Sequence, residues 1–114
     1  MSAYELLTTD DDLDALFQTS NQRPALIFKH SLTCPISTAA LRQYETFLEG
    51  QGKDKDVRYT LIEIQNHRPL SNAVAERTGV RHESPQALLV KDGEVQWHAS
   101  HWKITSESLA EAIG

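Results

Sequence analysis

The sequence predicts a three-layer α/β sandwich, a mixed sheet of about five strands with helices on both faces. Three observations carry that reading. Strand-like and helix-like segments alternate from Tyr4 to Gly79, which is the pattern of βαβ units with parallel strands and right-handed crossovers. Ala25–His30 is apolar almost throughout and too short for a helix, as a strand buried on both faces should be. Asp92-Gly93, flanked by Ala87–Val90 and Val95–Trp97, is the strongest hairpin signal in the chain and adds antiparallel strands.

Taken in order, Tyr4–Leu7 reads as a short first strand. Thr9 offers an N-cap, and Asp10, Asp11 and Asp12 place negative charge on a first helical turn, where the helix dipole favours it. Leu13, Leu16 and Phe17 continue that helix to about Thr19. Pro24 opens the central strand, and Ser31-Leu32-Thr33 turns out of it. Pro35 suits the first position of a helix, because its φ is already correct and its missing N–H has no partner there. Cys34 is then the N-cap, with Ile36, Ala40, Tyr44, Phe47 and Leu48 as the inward stripe and Gly50 as the stop.

After a charged loop, Val57–Ile64 reads as a second central strand. Asn66–Pro69 is a turn, and Leu70, Ala73 and Val74 carry a short helix ending at Gly79. A polar linker, residues 81–84, leads to Pro85 and the hairpin. Thr105, Ser106 and Glu107 cap a last helix whose inner face is Leu109, Ala110 and Ile113.

At 114 residues the chain is a single domain, residues 1–114, and 39% hydrophobic with 24% charged residues is ordinary for a soluble globular protein. Eleven basic against sixteen acidic residues give a net charge of −5, which argues against nucleic acid as partner. No apolar run approaches the roughly 20 residues of a membrane span, and the N-terminus has no secretory pattern. One cysteine cannot make an internal disulfide, so a reducing cytoplasm is the expected compartment. One cysteine with scattered histidines is also a poor metal site, and no bound cofactor is expected.

Cys34 is the centre of the chemistry. A lone cysteine is often only a small buried hydrophobe, but a position between a buried strand and a helix start is where a thiol becomes reactive. The thiolate is the attacking species, and free N–H groups with the helix dipole favour it. Thr33 and Pro35 flank it, and Ser37 stands within reach to donate a hydroxyl to the sulfur. His30, at the end of the strand, is a candidate for local positive charge. His101 and Trp102 follow the hairpin's second strand and are candidates to line a substrate groove. His67 and His82 read as surface residues.

Two segments resemble thioredoxins and glutaredoxins: the strand leading into Cys34-Pro35-Ile36-Ser37, and Thr78-Gly79-Val80 followed by Pro85–Gly93. Lys29-His30-Ser31, Thr33-Cys34-Pro35-Ile36-Ser37 and His98–Thr105 are similar to the monothiol bacilliredoxin (YtxJ-like) family, a likeness that runs from about Ala25 onward. The resemblance implies a thioredoxin-like fold in which Pro85 is a cis-proline facing Cys34, and Ser84 and Pro85 present backbone to a bound thiol substrate.

It implies as well a monothiol–disulfide oxidoreductase that removes a small thiol of the bacillithiol type from S-thiolated client proteins. That small thiol is a co-substrate, and a separate reductase stands as a possible partner. Ser37 in place of a second cysteine means that an external thiol must resolve the intermediate. Position 31 is Ser, where glutathione-binding glutaredoxins carry a lysine, and Lys29 sits on a different register. Phe28 occupies the place of the thioredoxins' buried acid. A redox-sensing module without turnover and an adaptor with an inert thiol are the other readings of the same residues.

Overall fold

The computed structural model describes residues 3–114. Its sheet has five strands, β1 (Glu5–Leu6), β2 (Ala25–His30), β3 (Arg58–Glu63), β4 (Gln86–Lys91) and β5 (Glu94–Ser100), in the order β1-β3-β2-β4-β5. β1 and β2 run parallel to β3, while β4 is antiparallel to both β2 and β5. The mixed sheet expected from the alternation and the hairpin is therefore present. β1 pairs over only two residues, with Leu7 adding one bond from its N–H to Leu61 O at 2.9 Å.

Four helices flank the sheet: α1 (Asp10–Thr19), α2 (Pro35–Glu49), α3 (Arg68–Thr78) and α4 (Ser106–Ile113). Alternation along β2 divides the core. Ala25 and Ile27 join Leu13 and Leu16 of α1 and Leu70 and Val74 of α3 on one face. Leu26 and Phe28 join Ala40, Tyr44 and Phe47 of α2 and Leu109 of α4 on the other. All six side chains of β2 are buried, which accounts for the apolar run Ala25–Phe28 and leaves Lys29 and His30 as buried polar groups. Each fully buried Leu, Ile or Phe contributes about 1.5–3 kcal/mol.

Local chemistry sets the element ends. Thr9 and Asp12 form a reciprocal capping box at α1, and Thr105 with Ser108 forms another at α4. Gly79 closes α3 in the left-handed conformation, at φ +71°. Asp92 and Gly93 both have positive φ, 53° and 75°, which matches the right-handed twist of the hairpin strands. α3 begins at Arg68, earlier than the Asn66–Pro69 turn predicts, because Pro69 fits a helix's first turn as readily as a loop.

One correction falls on α2. The inward stripe is Ser37, Ala40, Tyr44, Phe47 and Leu48; Ile36 is only half-buried. Four of the five stripe residues face inward as read; in the first turn Ser37 takes the inward place of Ile36, which puts a serine hydroxyl inside the fold.

Candidate functional site

The topology gathers four segments at one edge of the sheet. β2 and β3 end there, β4 begins there, and β5, parallel to β2, ends there as well. The loop 31–34, the residues following Glu63, the linker 81–85 and a 3-10 turn at His101–Lys103 consequently share that edge. In open α/β sheets the carboxyl ends of parallel strands are where ligands bind.

Cys34 is the N-cap of α2, with extended backbone (φ −96°, ψ 120°), and Pro35 starts the helix. Thr38 N–H bonds to Cys34 O at 3.1 Å, closing the first turn. The sulfur makes no capping bond, the first turn carries no acidic residue, and the side chain is half-buried. α1, by contrast, has three aspartates in its first turn. The α2 N-terminus thus offers its dipole and free N–H groups to an anion with no carboxylate competing for them.

Ser37 faces inward because it has polar partners there. Its buried Oγ accepts from Ser31 N–H at 2.9 Å and lies 2.7 Å from His30 Nδ1. Ser37 Oγ and His30 Nδ1 share one hydrogen bond while a second oxygen lone pair takes the Ser31 N–H. The serine ties the end of β2 to the loop that carries Cys34, and its hydroxyl is committed to these partners rather than to the sulfur.

His30 is also a correction. As a candidate for local positive charge it is disfavoured, because burial pushes its pKa below the ordinary histidine value, against the opposing pull of Glu63 and Glu45. It stays a neutral imidazole, 8% exposed.

Gln65, which carries no local signature in the chain, holds the same loop from just beyond β3. Its Oε1 accepts from Leu32 N–H at 2.9 Å, and its Nε2 donates to Ser31 Oγ at 2.9 Å and Thr33 Oγ1 at 3.3 Å. A glutamine just beyond a strand end has no local signature; its role arises only when β3 pairs beside β2. Thr33 thus takes part in fixing the loop.

The Ser84–Pro85 peptide is cis, as the resemblance implied. The register pairs Gln86 with Lys29, placing Pro85 one residue further on, beside the end of β2 from which the loop to Cys34 departs. Pro85 O accepts from His101 N–H at 3.1 Å, so the cis-proline and the end of β5 are joined. His101 adopts φ 53°, and its side chain and Trp102 line a groove of about 140 Å³ with Ala39, Gln43 and Thr105; Cys34 and Pro85 are not among its walls. Trp102 is 69% exposed. His98 is exposed in mid-β5, opposite Leu88, away from this edge.

His82 is not a surface residue as expected. It is half-buried, with Nδ1 at 3.2 Å from Lys29 Nζ and 3.3 Å from Ser71 Oγ of α3. Lys29 itself is fully buried on the α1/α3 face, and burial pushes its pKa down to about 8. His67 sits half-buried as the N-cap of α3. Among the described residues, no cluster of three or more His, Cys, Asp or Glu side chains is placed to hold a metal, and no helix is long and apolar enough to cross a membrane.

A mixed five-stranded sheet with a cysteine at the N-cap of α2 and a cis-proline opening β4 defines a thioredoxin-fold protein with a single thiol. A solved structure described as a candidate oxidoreductase with a thioredoxin fold is 34% identical, with a TM-score of 0.84 over 96% of this chain and 93% of that one. Thioredoxin (Mala s 13) of Malassezia sympodialis is similar in fold, at 14% identity and TM-score 0.75 over 96% and 87%. So is mitochondrial thioredoxin 3 of Saccharomyces cerevisiae, at 14% and 0.73 over 98% and 97%. Residues 5–109 match the monothiol bacilliredoxin BrxC family, and the chain belongs to that family.

Proposed function

We propose that the protein is a monothiol–disulfide oxidoreductase that removes a small thiol, of the bacillithiol type, from protein mixed disulfides through Cys34. The observation that carries this reading is the pairing of the chain's single cysteine at a helix N-cap with a buried serine three residues on. In the first step the Cys34 thiolate attacks the small-thiol sulfur of the client's mixed disulfide. The Cys34–small-thiol disulfide forms, the client's disulfide breaks, and the client leaves as thiolate. In the second step an external thiolate attacks the small-thiol sulfur, Cys34 leaves as thiolate, and a small disulfide is released. Each step is an exchange in which one S–S bond replaces another, so no electrons are gained or lost until a separate reductase acts on the released disulfide.

Thr33 and Ser37 hold the loop, Pro35 starts the helix, and Ser84, Pro85, His101 and Trp102 receive the substrate in this reading. S-thiolated proteins and the small thiol are its partners, no bound cofactor takes part, and the reducing cytoplasm is its place. The test is a client protein loaded with bacillithiol and incubated with the protein and free bacillithiol. Release of client thiol should depend on Cys34. Equal release by wild type and Cys34→Ser overturns the proposal, and single-round modification of Cys34 without turnover favours a sensor instead.

A further inference from the structure

Lys29 has no part in the exchange chemistry, yet it is buried, and neither ion pair among the described residues includes it. A buried amine without a carboxylate costs the fold stability, and such a cost is commonly kept where it serves a site. Its surroundings indicate what it serves. Lys29 and Gln86 are direct cross-strand partners on β2 and β4, and both reach the linker that ends in the cis-proline. Lys29 Nζ holds His82 Nδ1 at 3.2 Å, and Gln86 Nε2 donates to Arg81 O at 2.9 Å. Ser71 Oγ supports His82 from α3. Gln86 Oε1 and Ser84 Oγ are buried with no partner among the described residues. Ser100 bonds Glu83 from β5, and Lys29, Ser71 and Gln86 hold His82 and Arg81 from β2, α3 and β4.

We propose that Lys29 is a positioning residue: acting through His82, it fixes linker 81–84 and so sets how the Ser84–Pro85 backbone receives a protein substrate. The inference rests on the disulfide-exchange reading of Cys34. Lys29 Nζ–H donates to Nδ1 of a neutral His82, and the contact admits one shared proton, not two. Protonated His82 would set two cations together beside Arg68, with only Glu83 opposing. Burial first, then the charges of Lys29 and Arg68, keep His82's pKa below its ordinary value, so the contact is intact at neutral pH.

The test compares wild type, Lys29→Met and His82→Phe in two reactions: release of bacillithiol from a loaded client protein, and alkylation of Cys34 by iodoacetamide, which needs no backbone wall. Lys29→Met keeps the volume without the amine; His82→Phe keeps a ring without the acceptor. Each variant should lose about tenfold to a hundredfold in kcat/KM for the client, mainly through KM, as small misplacements of a binding wall do. Alkylation should be unchanged, Lys29→Met should unfold no more easily than wild type, and the double variant should lose no more than either single one. Wild-type kcat/KM in the variants overturns the inference, as does an equal fall in alkylation or a loss that follows lowered stability. Failure of wild type itself to release the small thiol would instead overturn the exchange reading.

Discussion

Ser37 Oγ lies 2.7 Å from His30 Nδ1 and accepts from Ser31 N–H, so the position of the missing second thiol is occupied by a structural clasp between β2, its loop and α2. All three groups are removed from bulk water to differing degrees, and the serine satisfies two of them at once. Ser37→Ala leaves the Ser31 N–H and the His30 ring without their partner. The expected cost is about 1–3 kcal/mol. Urea unfolding should show it as a lower midpoint with an unchanged m-value.

Gln65 supplies the second hold on the loop, and it does so from an exposed position. Gln65→Ala should change stability by less than about 0.5–1 kcal/mol. Its effect should appear instead in Cys34 reactivity, because Ser31, Leu32 and Thr33 lose their common anchor. Iodoacetamide alkylation and client release should both change, which distinguishes loop disorder from the substrate-only effect expected at Lys29.

Trp102 presents a large apolar surface beside the Cys34 edge and contributes little to the fold. Trp102→Ala should leave the melting temperature nearly unchanged while raising KM for a loaded client several-fold, in the manner of an exposed aromatic anchor. Unchanged KM would remove Trp102 from the substrate-facing surface.

Stability should depend on pH through buried His30 and Lys29 and half-buried His82. His30 and His82 both titrate below the ordinary histidine value in the folded state, burial being the first cause in each. The unfolded chain therefore binds protons first as pH falls, and their contribution, complete above about pH 6.5, is lost on acidification toward the lower folded-state values. Lys29 works in the opposite range. Its folded value of about 8 lies below the ordinary 10.5, so between those limits the unfolded chain holds the extra proton and stability rises with pH. The stability difference between Lys29→Met and wild type should narrow from pH 8 to 10.5; taking the difference cancels the buried tyrosines, which titrate alike in both.

Most of the fold could be read from the chain because its local signals agree with its global arrangement. Thr9 as N-cap, Pro35 after Cys34, Gly79 and Asp92-Gly93 each fix an element end by local chemistry and are found as read, while the return bond from Asp12 to Thr9 appears only in the structure. The cis Ser84–Pro85 peptide came from resemblance, since a proline before a strand carries no local mark of its isomer. What stayed hidden shares one cause. Ser37, Gln65, Lys29 and His82 act through partners 6 to 53 positions away in sequence. Polar residues with partners so distant look like surface until strand pairing brings them together. Lys29 shows this most clearly: a lysine in an apolar strand reads as an interruption, and its meaning appears only with Gln86 beside it and His82 above.

The central claim is that Cys34 takes the small thiol onto itself and cannot release it alone. Intact-mass measurement after mixing equal amounts of the reduced protein and a bacillithiol-loaded client, with no free thiol, tests it directly. The account predicts that the client loses one bacillithiol, that the 12.8 kDa chain gains it at Cys34, and that added free bacillithiol removes it again. A client freed of bacillithiol while the Cys34 chain stays at its original mass, or the same transfer to Cys34→Ser, would contradict it.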